Sequence, residues 1–343
     1  MSGTSLDGID LAEIFFNVSE QGNWTFKIGK AETVPYDENW KTELREGIEL
    51  NEPQLEKLDF KYTDYLAQVI SQFFQKHNFS QIDAVCSHGH TILHKPNKGI
   101  TYQIGNLPRI AKLLGLKVIC DFRVGDVALG GQGAPLVPIG DKLLFNDYDY
   151  CVNLGGFANL SFEKKGNRIA FDICPANIVL NHYAEMLGKP YDENGDLAAS
   201  GKVNENLLDE LNSLPFYAEK APKSLGLEWV RDEIFPILKS SEDNAKNILR
   251  TFTEHIAVQL ADQFSENSKV LFTGGGVFNS FLMKRLKEIS NIEIVIPSKE
   301  TIEYKEALIF GLLGVLKLRE EINCLASVTG AKNDHSSGKI YEP

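Results

Sequence analysis

The sequence predicts an α/β protein in two lobes. Strand-like apolar runs alternate along the chain with amphipathic helical patterns, which argues for a twisted, parallel or mixed sheet. Both halves also contain a strand, a Gly-containing turn, further strands and then a helix, a weak internal echo consistent with duplication. With 343 residues, the chain is long enough for two such lobes and well above the size at which core burial is marginal.

The elements follow in order. The chain opens directly on Ser2-Gly3-Thr4-Ser5-Leu6-Asp7-Gly8. Residues 9–16 are rich in β-formers, and Trp24, Phe26 and Ile28 alternate after a polar turn at 20–23, so a hairpin is expected. Leu55, Leu58, Tyr62, Leu66, Val69 and Phe73 recur every three or four residues, which predicts a helix over 52–77 with Asn51 as its cap and Pro53 in its first turn. Strands are expected at 82–86 and 100–104, a short helix at 108–115, and a strand at 148–154 running into Gly155-Gly156-Phe157-Ala158-Asn159. A hairpin turning at 165–167 precedes a helix over 177–187; residues 193–240 mix short helical patches with Gly, Pro and charge and read as irregular. Helices at 245–267, 279–290 and 302–320 and strands at 269–272 and 292–296 complete the pattern. The polar tail, 328–343, is expected to return over the first half. These elements suggest lobes at 1–145, rejoined by 321–343, and at 146–320.

Composition excludes several functions. Thirty-five basic against 47 acidic side chains give a net charge of −12, which argues against a general nucleic-acid or anionic-membrane binder. Cys86, Cys120, Cys151, Cys174 and Cys324 are odd in number and lack a C-x-x-C pair, so buried reduced thiols are expected. No run is apolar enough for a membrane span and the N-terminus lacks signal-peptide features, so the expectation is a cytoplasmic protein.

Chemistry concentrates in DFRVGDVALGGQGAPLVP, residues 121–138, where Asp121, Arg123 and Asp126 precede Gly130, Gly131 and Gly133. Glycines let backbone turn tightly or approach a ligand. Gly-rich turns at 3–8, 155–159 and 274–279 together suggest phosphate handling, because backbone N–H groups at such turns, and at the start of the helix after Gly274-Gly275-Gly276, bind anions. No P-loop or dinucleotide fingerprint is present. Thr4 and Ser5, with Asp7 and Asp10 beside them, could hold phosphate oxygens and hydrated Mg²⁺. His88, His90 and His94 form H-x-H-x-x-x-H, for which polar loop histidines are favoured over zinc ligands because no carboxylate partner is evident. Ser224 lacks a nucleophile elbow, so serine hydrolysis is unsupported.

Taken together, MSGTSLDGID, SHGHTILHKP, QIGN, DFRVGDVALGGQGAPLVP, NLGGFANLSF, FDICPANIVLN, APKSLGLEW, TGGGVFN and YKEALIFGLL resemble the anhydro-N-acetylmuramic acid kinases of bacterial cell-wall recycling, in order and over nearly the whole length. The resemblance implies the actin/hexokinase/Hsp70-like fold, two lobes from a duplicated ribonuclease H-like core with ATP in the cleft between them. It implies conversion of 1,6-anhydro-N-acetylmuramic acid, ATP and water to N-acetylmuramic acid 6-phosphate and ADP. The phosphate loop falls on Gly3, Thr4, Ser5, Leu6, Asp7, Gly8, Ile9 and Asp10, with further nucleotide contacts at Gly274, Gly275 and Gly276. Asp7 is the candidate to reach Mg²⁺ through water. Asp126 is the implied catalytic base, while Asp121 beside Arg123 reads as structural or sugar-orienting. His90, Gly131, Gly133, Asn159 and Asn177 are candidate sugar contacts. A homodimer is the typical assembly.

The sequence departs from the family in three places. Family members usually carry a strand ahead of MSGTSLDG, whereas this sequence begins at that methionine; the expectation is a start lying upstream or weakened ATP binding. Cys86-Ser-His-Gly-His90-Thr stands where GSHGQT is frequent, and Asp172-Ile-Cys174-Pro-Ala176-Asn177 where DTGPGN is. Both add bulk near the expected sugar site. Two other readings remain open: a sugar kinase of the same fold that phosphorylates a free hydroxyl, and a non-catalytic sugar sensor.

Overall fold

The computed structural model describes residues 1–3 and 6–343; Thr4 and Ser5 lie outside the described residues. The chain divides into two compact units, Met1–Leu144 with Tyr304–Pro343, and Phe145–Glu303. The long helix Lys299–Leu318, expected within the second lobe, therefore belongs to the first unit from Tyr304 onward. The backbone leaves helical geometry at Tyr304 (φ −113, ψ 16), where the chain passes from one unit to the other.

The first unit opens with an antiparallel hairpin, β1 (Gly8–Val18) and β2 (Trp24–Pro35). Gly8 is required there, because a Cβ would sit 2.4 Å from the Val34 carbonyl oxygen. The helix Glu52–His77 packs behind it. Asn51 accepts from the Gln54 N–H at 3.1 Å while the Gln54 side chain accepts from the Asn51 N–H at 3.0 Å, so two otherwise orphaned donors are satisfied. Its apolar stripe of Leu55, Leu58, Tyr62, Leu66, Val69 and Phe73 is buried with Ile9, Trp40, Ile104 and Val118 in one core.

β3 is shorter than expected (Val85–Cys86), and β4 (His90–Lys95) pairs antiparallel with β5 (Ile100–Ile104). β6 (Val118–Cys120) lies parallel to β3 and antiparallel to β12 (Lys339–Tyr341), so the tail does return to the first unit, as a strand. Asn323 fastens that return. Its amide donates to Leu313 and Ser337 carbonyls at 3.0 and 2.9 Å, its oxygen accepts from the Ser337 N–H at 2.7 Å, and Ser337 Oγ donates to the Phe122 carbonyl at 2.6 Å.

The second unit is built on one five-stranded sheet. β7 (Tyr150–Leu154), β8 (Phe157–Lys164) and β9 (Asn167–Pro175) form an antiparallel meander, and β10 (Lys269–Thr273) and β11 (Glu293–Val295) add in parallel on the other side of β7. The spatial order β11-β10-β7-β8-β9 is that of a ribonuclease H-like core. The helices Asn177–Glu185, Ala245–Ala261 and Ser280–Ile289 supply Val179, Phe252, Ile256, Leu282 and Leu286 to a core shared with Val152, Leu160 and Phe272. Residues 193–240 are not irregular; they hold short helices at Glu205–Asn212, Pro215–Ala218 and Phe235–Ser240. Leu207, Leu211 and Leu238 anchor them, an apolar spacing too short to register as periodicity.

None of the five cysteines forms a disulfide among the described residues, and four of them are buried. No helix is long and apolar enough to cross a membrane among the described residues.

His255 is fully buried in the second unit. Its Nδ1–H donates to Asn212 Oδ1 at 2.6 Å and its Nε2 accepts from the Tyr217 hydroxyl at 2.9 Å, both bonds of the neutral ring. Burial pushes its pKa from 6.5 down to about 3. The unfolded chain therefore binds a proton that the folded chain refuses, so this contribution to stability is complete above pH 6.5 and declines as pH falls toward 3. Each pH unit across that window costs about 1.4 kcal/mol. Urea midpoints measured from neutral pH to about pH 4 should fall with acid, and His255→Gln should flatten that dependence.

Candidate active site

The Gly-rich block folds around Asp126. Val124–Ala128 form a short helical turn, and this turn points the Asp126 carboxylate back into the block. Asp126 has no solvent exposure. Its Oδ2 accepts from the Gly133 N–H at 2.7 Å, and its Oδ1 accepts from the Thr329 hydroxyl at 2.6 Å. The Gly131 N–H also closes onto the Asp126 carbonyl at 2.9 Å, and the Gln132 N–H donates to the Thr329 carbonyl at 2.8 Å.

Two glycines are fixed by this packing. A Cβ on Gly131 would lie 2.2 Å from Asp126 Oδ2, and Gly133 has φ +69, the left-handed region that side chains resist. Gly131 and Gly133, expected as sugar contacts, thus spend their special geometry on the carboxylate. Gly131→Ala should displace Asp126 or the turn and lower the unfolding free energy by about 1–3 kcal/mol. A thermal melt identical to that of the parent would show that the block can absorb the methyl.

Arg123 closes the other side. Its Nη1 donates to the Gly133 carbonyl at 2.7 Å and its Nε to His88 Nε2 at 3.0 Å. His88 is therefore neutral, donating from Nδ1 to the Gly89 carbonyl at 3.0 Å. Burial, then the Arg123 charge, holds its pKa well below the ordinary range. Burial also lowers the Arg123 pKa, against which Glu306, Cys324 and Asp126 act.

Asp121 stands apart from Asp126. Its backbone is left-handed (φ +60), and its Oδ2 is paired with Lys339 Nζ at 2.6 Å. The aspartate that follows β6 is thereby tied to the returning tail.

Sequence reasoning missed four residues here. Glu306, on the helix Lys299–Leu318, is accessible yet densely flanked; desolvation raises its carboxyl, while Arg123 and the Met1 ammonium favour its ionised form. An acid directly ahead of the apolar run ALIFGLL was the available signal. Thr329, Cys324 and His335 lie about 200 residues from Asp126 in the chain, and nothing local marks them.

Around the expected phosphate loop, Met1 and Asp10 exchange both backbone bonds, with the Met1 ammonium donating to the Asp10 carbonyl at 2.7 Å and the Asp10 N–H to the Met1 carbonyl at 2.8 Å. Ser2 Oγ lies 2.7 Å from the Tyr36 hydroxyl and 2.8 Å from His90 Nδ1. His90 is buried, its pKa pushed down to about 4, so it anchors the start of the loop and shows no open face to a sugar. His88, His90 and His94 each have a different partner, Arg123, Ser2 and Thr101. Asp10 Oδ1 accepts from the Thr33 hydroxyl at 2.6 Å, whereas Asp7 is exposed.

In the second unit, Gly274 (φ +84) lets β10 turn against the end of β7, where a Cβ would meet Asn153 Oδ1 at 2.6 Å. Gly275 is exposed and nothing lies within 4 Å of where its Cβ would be, so backbone is open to a ligand there. The following helix begins only at Ser280, and Asn279 Oδ1 already accepts from its Leu282 N–H at 2.9 Å. The expected anion site directly after Gly276 is thus partly answered by the chain itself. Asn159 lies in β8, opposite Asn153 and Asp172, and the Asn177 side chain donates to the Leu154 carbonyl at 3.3 Å.

A family model described as anhydro-N-acetylmuramic acid kinase matches residues 1–343. The anhydro-N-acetylmuramic acid kinase of Francisella tularensis subsp. novicida is 34% identical over 372 residues, covering 99% of this chain and 97% of that one. The enzyme of the same name from Haemophilus influenzae is 32% identical over 373 residues, covering 99% and 96%. That of Pseudomonas syringae pv. syringae is 34% identical over 363 residues, covering 99% and 97%. With relatives matched almost end to end and a family model spanning every residue, this chain belongs to the anhydro-N-acetylmuramic acid kinase family.

Proposed function

We propose that this kinase opens the 1,6-anhydro bridge of anhydro-N-acetylmuramic acid with water and phosphorylates O6 from ATP, yielding N-acetylmuramic acid 6-phosphate and ADP for cell-wall recycling. The observation that carries the reading is the carboxylate of Asp126, held at both oxygens within a Gly-rich turn. A fixed carboxylate is what a general base needs, since proton transfer depends on hydrogen-bond reach before it depends on pKa.

Water adds to the anomeric carbon while Asp126 takes its proton. The C1–O6 bond breaks with its electron pair left on O6, and O6 attacks the γ-phosphorus as the bond to ADP breaks. Ordinary glycoside hydrolysis needs a second carboxyl group to protonate the leaving oxygen. Here phosphoryl transfer takes that place, so one base suffices. Asp126 has no solvent exposure and both its oxygens already accept bonds, so water reaches it only when the segment bearing Thr329 yields. A hydroxyl partner suits such an exchange, because it can rotate to another acceptor.

The backbone of Gly3 and Leu6–Asp10, with Thr4 and Ser5, is the proposed phosphate loop, and the open backbone at Gly275 supports a nucleotide contact in the second unit. The exposed Asp7 carboxylate, an oxygen donor, fits a hydrated Mg²⁺, which when bound neutralises phosphate charge. Asn159 and Asn177 are retained as proposed sugar contacts, with Arg123 holding the Asp126 turn in shape.

Asp126→Asn should lower ADP release by about 10²–10⁴-fold while leaving ATP binding intact. Near-normal turnover in that variant would remove Asp126 as the base. Reaction in ¹⁸O-labelled water should place label on the anomeric carbon; unlabelled product would instead identify a kinase acting on a free hydroxyl.

A further inference from the structure

Asp126 has one neighbour that base chemistry does not require. His335 Nε2 lies 3.6 Å from Asp126 Oδ1, its side chain is nine-tenths buried, and that nitrogen has no hydrogen-bond partner. Nδ1 faces the Asn333 carbonyl at 3.1 Å, and a carbonyl can only accept, so Nδ1 carries a proton and Nε2 is the ring nitrogen that faces the carboxylate.

Cys324 completes the set. It and His335 exchange both backbone hydrogen bonds across an isolated antiparallel bridge, Cys324 N–H to His335 carbonyl at 3.0 Å and the reverse at 3.1 Å, which puts their side chains on one face. One oxygen of Asp126, Sγ of Cys324 and one nitrogen of His335 all lie within 4.8 Å of one another. We propose that Asp126, Cys324 and His335 form a binding site for a borderline-soft divalent cation, Zn²⁺ by donor set, lying entirely within the first unit.

Geometry and surroundings agree with that assignment. Bonds of about 2.0–2.3 Å to a tetrahedral ion place its ligands roughly 3.3–3.7 Å apart, which the oxygen–nitrogen pair already meets. A mixed thiolate, imidazole and carboxylate set suits zinc and excludes Mg²⁺, which takes oxygen donors. The outer contacts are those of a ligand set: the His335 N–H is fixed by a carbonyl, and Asp126 accepts from Gly133 and Thr329. The loop that carries His335 gives a path inward, since Lys332, Asn333 and Asp334 are exposed. Three protein ligands leave a fourth position for solvent.

Occupation would engage the carboxylate proposed as the base, so the cation should switch the kinase off. That consequence rests on the proposed function; the binding does not. The experiment titrates the metal-free full-length protein with Co²⁺ alone, then displaces it with Zn²⁺. One equivalent should bind, giving the sulfur-to-cobalt charge-transfer band and the strong visible bands of a tetrahedral site. Cys324→Ser should lose the charge-transfer band, and His335→Gln should weaken binding by at least the roughly 10–100-fold that loss of a mere outer contact costs. Cys324→Ala serves as the second thiol variant, each checked for an unchanged circular dichroism spectrum. Absence of the band in the parent, or its persistence in both thiol variants, overturns the site. In ADP release at saturating Mg·ATP, Zn²⁺ should inhibit the parent at least tenfold more strongly than Cys324→Ser. Stoichiometric binding without inhibition keeps the site and removes Asp126 as the base. No ADP release from the metal-free parent removes the kinase reading, while the Co²⁺ titration still decides the site.

Discussion

A carboxylate with no solvent exposure must have its lone pairs answered from within the fold, and in the first unit that demand organises most of what surrounds Asp126. Gly133 answers one oxygen through its backbone and Thr329 the other through its hydroxyl. Gly131 surrenders a side chain so that the carboxylate fits. Arg123 then braces the turn from outside by bonding the Gly133 carbonyl, and His88 is held neutral to accept from Arg123. Removing any one of these leaves a buried donor or acceptor unmatched, which costs more than the net worth of a single hydrogen bond.

The same demand explains why the C-terminal tail is part of the site. Thr329 reaches Asp126 only because the chain after the last long helix is strapped to β6. Asn323 and Ser337 fasten one end through Phe122, and Lys339 pairs with Asp121 at the other. The two aspartates of the block thus have different duties. Asp121, left-handed and paired with Lys339, fixes the tail; Asp126 holds its hydrogen bonds from a backbone amide and an exchangeable hydroxyl. That asymmetry supports the proposal of Asp126, and not Asp121, as the base.

The second unit is governed by backbone geometry more than by charge. Gly274 and Gly276 allow β10 to turn against Leu154, and Asn177 and Asn279 close the neighbouring ends with side-chain hydrogen bonds. What remains open is Gly275, backbone without a side chain and without a neighbour. A nucleotide contact proposed there asks nothing further of the protein than to leave that peptide uncovered.

Local pattern alone determined a good deal. The capped helix Glu52–His77, the hairpin of β1 and β2 and the hairpin of β8 and β9 follow from periodicity and turn chemistry, which act within a few residues. The family followed from long blocks such as MSGTSLDG and GGQGAPLVP, and the Gly-rich block was visible as a concentration of unusual residue types. Other features were decided only in three dimensions. The sequence could not show that His90 is spent on Ser2, that residues 193–240 fold into short helices, or that the last long helix divides at Tyr304. Nor could it show that Thr329, Cys324 and His335 converge on Asp126. Those outcomes depend on contacts between residues far apart in the chain, where burial removes water and obliges each polar atom to find its partner from whatever the fold brings near.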